Sequence, residues 1–196
     1  MNPKQKKEIF RKTIHVSSIL LPLSYRYIFL NNRKLAFLVL IPLTLIALTI
    51  EVFRLEHKTF KKIFYNIFGI MLRKHEINNF TGATYLMISA VICIAVFPAD
   101  IAFVAISFLA IGDTLAALIG IPLGKRKLFN TDKSLEGSIA CFTGTFVFAL
   151  FFLNPIVSMA GAFTATVAEF SKIPLDDNIK IPISSGLMMS FMNLIF

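Results

Sequence analysis

Apolar positions in this chain come in long, nearly unbroken runs separated by short polar segments, without the strict alternation of a half-buried strand. Seven runs read as helices: roughly Thr13–Phe29, Leu35–Phe53, Gly82–Phe97, Ile101–Gly120, Gly137–Leu153, Ile156–Phe170 and Ile181–Phe196. Runs of about 16–22 residues suit a hydrocarbon core about 30 Å thick. The expected fold is all-α, a polytopic integral membrane helix bundle of about seven transmembrane helices, with residues 1–196 forming one domain.

One polar connection has a pattern of its own. Phe60, Ile63, Phe64, Ile67, Phe68 and Met71 recur at helical spacing, with Lys58, Lys61, Lys62 and Arg73 mostly on the other face. This is the pattern of an amphipathic helix lying in the headgroup layer. An extension of the second membrane helix packed on the bundle is the alternative.

Composition agrees with a membrane domain: 56% of residues are hydrophobic, and the mean hydropathy is +0.74. A net charge of +9 would raise nucleic-acid binding in a soluble protein. Here the basic residues sit between apolar runs and report topology instead, so no nucleic-acid partner is expected. Seventeen Lys and Arg fall in the N-terminus and alternate connections, against three (Arg26, Arg33 and Lys34) on the other side. The positive-inside rule puts the N-terminus in the cytoplasm and the C-terminus outside. Cys93 and Cys141 each lie within an apolar run with no CxxC spacing, as helix-packing residues do.

The candidate chemistry gathers on the same face as the positive charge. Asp113 lies inside the fourth apolar run, where an ionised carboxylate costs about 2.5–3.5 kcal/mol and calls for a cation or proton; an interhelical salt bridge is the structural alternative. Glu51 and Glu169 sit near helix ends, within reach of the interface. A glycine-bearing stretch follows Asp113, with Gly120, Gly124, Lys125, Arg126 and Lys127, then Asp132, Lys133, Ser134 and Glu136. Glycines admit backbone N–H groups to an anion, and cations neutralise phosphate oxygens. The stretch is not a P-loop: the spacing is one residue short and no Ser or Thr follows Lys125. Asp176-Asp177-Asn178 offers hard oxygen ligands of the kind Mg²⁺ takes, or a solvated turn or helix cap. Glu76 lies in another polar cluster, where Asn79 or Thr81 caps the next helix. Arg11-Lys12-x-x-His15 brings two cations and an imidazole to this surface, as a headgroup anchor or a phosphate contact. The three histidines lack zinc-site spacing.

With these pieces in order, the chain resembles the CTP-dependent polyprenol, dolichol, phytol and diacylglycerol kinases, a family related to the phosphatidate cytidylyltransferases. The resemblance runs through Arg11-Lys12-x-x-His15, Glu76-x5-Gly82-Ala83, Gly112-Asp113-x-x-Ala116-x-x-x-Gly120-x-x-x-Gly124, Lys133-Ser134-x-Glu136-Gly137 and Asp176-Asp177-Asn178-x-x-x-Pro182. It implies a single transmembrane catalytic domain that moves the γ-phosphoryl group of CTP to the hydroxyl of a membrane lipid alcohol at the cytoplasmic interface. On that reading Asp113, Asp176 and Asp177 serve Mg²⁺. Arg11, Lys12, Gly120, Gly124, Lys125, Arg126, Lys133 and Ser134 serve the nucleotide triphosphate. Asp113, Glu76 and Glu136 are the catalytic acids, orienting or accepting the proton. Two rival functions use the same residues: attack of phosphatidate on the α-phosphorus of CTP, and a small ion- or proton-coupled transporter built on Asp113.

Overall fold

The computed structural model describes residues 15–69, 71–73, 75–128 and 133–196, so Arg11, Lys12 and Asp132 lie outside the described residues. It is all-helical. Helix α1 is composite, a 3-10 stretch (Val16–Ile19), an α turn (Leu20–Leu23) and a π stretch (Ser24–Ile28). There follow α2 (Arg33–Glu56), α3 (Lys58–Phe68), a 3-10 turn (His75–Ile77), α4 (Gly82–Val96), α5 (Ala99–Leu123), α6 (Leu135–Leu150), α7 (Pro155–Phe170) and α8 (Asp177–Ile195). Each expected apolar run is a helix, and the amphipathic segment is a separate one. His57, in extended conformation (φ −103°, ψ 112°), ends α2 and starts α3, so α3 is not a straight continuation of α2.

Two helices, α2 and α5, are long and apolar enough to cross a membrane. Seven crossings are not what helix length gives: α4, α6 and α7 have 15 or 16 residues. At about 1.5 Å rise per residue they fall short of a hydrocarbon core about 30 Å thick.

Helix α5 is the hub. Every residue from Ile101 to Ala110 is buried, and α4, α6, α7 and α8 pack around it. A helix enclosed on all sides is apolar all round, which is why its sequence shows little amphipathic bias. Small residues bring its C-terminal half close to α6. A Cβ on Gly120 would lie 2.8 Å from Ser134 Oγ and 3.2 Å from Gly137 Cα, and one on Gly137 would lie 2.7 Å from the Ala116 carbonyl. Large apolar side chains meanwhile face outward, among them Leu38, Leu45 and Ile46 on α2, Phe163 on α7 and Phe191 on α8. Soluble monomers rarely expose apolar surface on this scale.

The antiparallel order brings the ends of α2, α5 and α7 and the starts of α4, α6 and α8 together with the segments joining them. That end carries the candidate site. At the opposite end Arg26 bonds Asp100 Oδ1 at 2.6 Å and lies over the Phe103 and Phe152 rings.

Candidate active site

The connection between α3 and α4 is held by a buried clamp. Arg54 Nε donates to Glu51 Oε2 at 2.8 Å, and its Nη2 also bonds that oxygen. The rest of the guanidinium donates to the carbonyls of Glu76 (2.9 Å), Ile77 (3.4 Å) and Asn79 (2.6 Å). Glu51 Oε1 takes the Thr81 N–H, the Thr81 hydroxyl and the Thr84 hydroxyl. Thr81 thus stands at the N-cap position of α4, but its side chain bonds Glu51 instead of capping. Glu51 does not reach the interface either: at 3% exposure it is an internal anchor.

Held this way, the connection turns Glu76 inward. Glu76 accepts the backbone N–H of Arg73 on Oε2 and that of Gly82, at 2.8 Å, on Oε1. Its carboxylate orders the loop. Arg73, which the sequence reading used only to count charge, lies against Asp176 Oδ2 at 3.8 Å. His75 reaches the same oxygen at 3.7 Å. Burial by itself pulls the Arg73 guanidinium down, but Asp113, Asp176, Asp177 and Glu76 outweigh it and hold Arg73 above its ordinary range.

Asp176 caps α8, its Oδ1 accepting the Asn178 N–H at 2.9 Å, so the cap reading of this motif is met. Its other oxygen faces the site. Asp177 is bracketed by two lysines, Lys180 at 3.0 Å and Lys133 at 3.9 Å. Lys133 also pairs with Glu169, which is buried and does not snorkel to the interface as its place near a helix end implied. Desolvation lowers the Lys133 ammonium, but Glu169, Asp113 and Asp177 together hold it above the usual lysine range. Asp113 is 2% exposed, and His15 Nε2 lies 3.7 Å from its carboxylate.

Among the described residues, this region therefore holds Glu76, Asp113, Glu169, Asp176 and Asp177 against the fixed cations Arg73, Lys133 and Lys180. Carboxylates gathered around fixed cations are the setting in which a divalent cation and an anionic ligand can be held together. One ligand atom each from His75, Glu76 and Asp176 lie within 4.8 Å of one another. Asp113 and Asp177 stand outside that group, so the three expected metal carboxylates are neighbours in one charged region and not a closed set.

The other expected nucleotide residues divide in two. Gly120, Gly124 and Ser134 lie at the crossing of α5 and α6. Ser134 caps α6 by accepting the Gly137 N–H at 3.2 Å, and its hydroxyl points at the Gly120 carbonyl, 3.4 Å away. Lys125 and Arg126 are exposed on a turn tied back by a bridge between Lys127 and Ser134. Glu136 Oε2 takes the N–H groups of both (3.2 and 3.4 Å), so it braces this turn.

Two cavities meet at Arg73. One of about 360 Å³ is polar, with His75, Asn79, Tyr85, Asp176 and Asp177 in its wall. The other, of about 460 Å³, has an apolar side formed by Phe64, Phe68, Met71, Leu72 and Leu86 and a polar end at His15, Glu76, Asp113 and Asn178. The residues that sequence reasoning left without a site role are Arg73, Lys180, Glu169 and His75. The available signal was the pairing of acids with basic residues at the same chain end.

No family model and no solved structure matches the chain. It is 29% identical to CTP-dependent diacylglycerol kinase 1 of Saccharomyces cerevisiae, over 94% of this chain and 73% of that protein. The same-named protein of Schizosaccharomyces pombe is 28% identical over 73% of this chain and 74% of its own length. An uncharacterized protein of Methanocaldococcus jannaschii is 31% identical over 90% of this chain and 89% of its own. The chain belongs to the family of that archaeal protein, and its distant homologues include the CTP-dependent diacylglycerol kinases.

Proposed function

We propose that this chain is a CTP-dependent lipid kinase that phosphorylates the hydroxyl of a membrane lipid alcohol, with diacylglycerol the first candidate. The observation that carries the proposal is the pair of cavities joined at Arg73: one polar and edged by carboxylates, the other apolar-walled with a polar end. A lipid held in the second presents its hydroxyl toward a triphosphate held in the first. The hydroxyl oxygen bonds the γ-phosphorus, the bond to the β,γ-bridging oxygen breaks, CDP leaves, and the proton passes to Asp113 at the polar end. Such transfer demands positioning and charge neutralisation more than covalent catalysis.

On this reading Arg73 and Lys133 neutralise phosphate oxygens, and the exposed Lys125 and Arg126 attract the nucleotide. By the resemblance, Arg11 and Lys12 join them. The gathered carboxylates fit Mg²⁺, which takes few carboxylates and keeps water and phosphate as its other ligands. Asp176, Asp177 and Asp113 are the oxygens that would hold it, and bound there it would offset triphosphate charge. Glu76 and Glu136 act as orienting residues, since each is committed to backbone N–H groups. The outward apolar side chains and the loop charge support a polytopic membrane protein with this end in the cytoplasm, the N-terminus inside and the C-terminus outside. Helix α3, with Phe64 and Phe68 on the cavity wall, then lies at the bilayer surface beside the lipid's route in.

The test is incubation of purified protein with γ-labelled CTP or ATP, Mg²⁺ and a panel of diacylglycerol, polyprenols and shorter isoprenoid alcohols. Label in the lipid, lost in Asp113→Asn, is the expected result. Label in pyrophosphate would identify a cytidylyltransferase, and ion flux without nucleotide turnover a transporter; either overturns the proposal.

A further inference from the structure

The polar end of the lipid-side cavity contains a hydrogen-bonding atom that no described residue satisfies. Asn178 lines this cavity beside Asp113, Glu76 and Gly82 and is 2% exposed. Its Oδ1 is enclosed and has no hydrogen-bond partner among the described residues. The sense of the amide is fixed by chemistry. Its other terminal atom bonds Asp176 Oδ1, a carboxylate oxygen that only accepts, so that atom is the NH₂ and the unpaired one is the carbonyl oxygen. Gly82 makes room for this arrangement, because a Cβ there would lie 2.7 Å from Asn178 Nδ2 and 3.2 Å from Glu76 Oε1.

Its neighbours Glu76 and Thr81 are committed. Both Glu76 oxygens take backbone N–H groups, and the Thr81 hydroxyl donates to Glu51. A buried carbonyl oxygen without a donor is uncommon in folded proteins and points to a missing partner. The missing partner is a donor, and the cavity that Asn178 lines, apolar on its far side, is where a bound molecule can bring one.

We propose that Asn178 Oδ1 receives the hydroxyl hydrogen of the bound lipid and so makes the cavity specific for lipids that carry a free hydrogen-bond donor. Lipids whose headgroup only accepts, such as ethers and esters, leave this oxygen unpaired and lose the discrimination that one buried polar contact gives. The identity of the occupant rests on the lipid-kinase reading above; the donor requirement rests on Asn178. The contact also orients the hydroxyl oxygen beside Arg73 and Asp113, since all three side chains line the same cavity.

The experiment is displacement of a fluorescent diacylglycerol from the purified full chain in lipid nanodiscs, without nucleotide. The competitors are diacylglycerol and its 3-O-methyl ether. The wild-type protein is expected to prefer the hydroxyl by about tenfold, the equivalent of one hydrogen bond. Asn178→Ala should bring the two competitors within about twofold of each other. Asp176→Ala removes the partner of Nδ2 but keeps Oδ1, and should retain most of the preference. A preference unchanged in Asn178→Ala, or lost equally in Asp176→Ala, overturns the proposal. So does a raised Mg²⁺ requirement for turnover in Asn178→Ala with the preference intact, which would make Asn178 a metal ligand. If Asn178→Ala does not fold, the wild-type comparison still decides, since equal affinity for alcohol and ether refutes the donor requirement. Failure to transfer label from CTP would sink the kinase reading and leave this nucleotide-free comparison to be judged separately.

Discussion

Replacing Arg54 by Met tests whether the loop that builds the site is held from inside the bundle. Arg54 is 1% exposed and Glu51 is 3% exposed, so the pair is shielded from water on both sides. Met fills much of the same volume without a charge. It removes both contacts to Glu51 and the bonds to the Glu76, Ile77 and Asn79 carbonyls, while Glu51 keeps only the Thr81 and Thr84 donors. Breaking a buried pair by removing one partner costs about 3–5 kcal/mol, because the remaining charge stays desolvated. The freed carbonyls would add to this, but the loop can open and hydrate them, so the total stays near that range. In a chain of this size it corresponds to a melting shift of roughly 6–20 °C.

Cys93 and Cys141 supply the assay. Both are buried and free, so a thiol-reactive fluorophore labels them only as the bundle opens. Glu51→Gln combined with Arg54→Met removes the stranded charge and should recover more than half of the lost stability. Arg54→Met melting within about 2 °C of the wild type would refute the clamp. A double variant no more stable than the single one would show that the cost is packing and not a stranded carboxylate.

Three further outcomes are expected. Lys133→Ala should raise the CTP concentration needed for half-maximal turnover about tenfold or more, since it takes a cation from Glu169 and Asp177 as well as from the phosphates; an unchanged CTP dependence would remove Lys133 from the triphosphate site. Gly82→Ala should lower turnover at least tenfold with a small melting shift, because its Cβ meets Asn178 and Glu76 at the cavity and not in the apolar core; normal kinetics would show that the two side chains can give way. Hydrogen bonds from its own backbone N–H and from those of Arg126 and Lys125 hold Glu136 below the usual carboxylate range. With the folded pKa depressed, its contribution is present above the unfolded value of about 4.3 and fades as pH falls through the folded one. The melting difference between the wild type and Glu136→Gln should therefore persist at pH 7 and 5 and shrink below about pH 4; a difference independent of pH would contradict this.

Most helices were legible because each is a long apolar run bounded by charge or by a Pro-containing turn, and each element lies near where its pattern predicted. Their tertiary use was less so. Gly120 and Gly124 recur four residues apart, a spacing that serves anion approach and helix crossing equally well, and the place of Gly137 against Gly120 and of Ser134 against both is visible only in the fold. Arg73 read as one more loop cation because its burial depends on the fold of its own loop, which follows from Arg54 and Glu76. Glu51 and Glu169 read as interfacial because sequence gives distance from a helix end, not which neighbour fills the space there. The acidic residues were found by their rarity in apolar surroundings. The cations that meet them were hidden among twenty basic residues whose first role is topological.

The bundle's two ends handle charge in opposite ways, and the contrast argues for where the chemistry lies. At the Arg26 end, the guanidinium bonds Asp100 and lies over the Phe103 and Phe152 rings, while Arg33 donates to the Phe97 carbonyl. Each guanidinium there has a direct partner of its own, a carboxylate or a carbonyl, and Arg26 adds cation–π contact. The other end is left open. Five carboxylates share three fixed cations among the described residues, Asn178 holds an acceptor with no donor, and two cavities adjoin one arginine. A buried acceptor without a donor costs free energy until a ligand satisfies it, and carboxylates set among cations are where charged ligands are held. A divalent cation, an anionic nucleotide and a hydroxyl donor are together the set that would balance them.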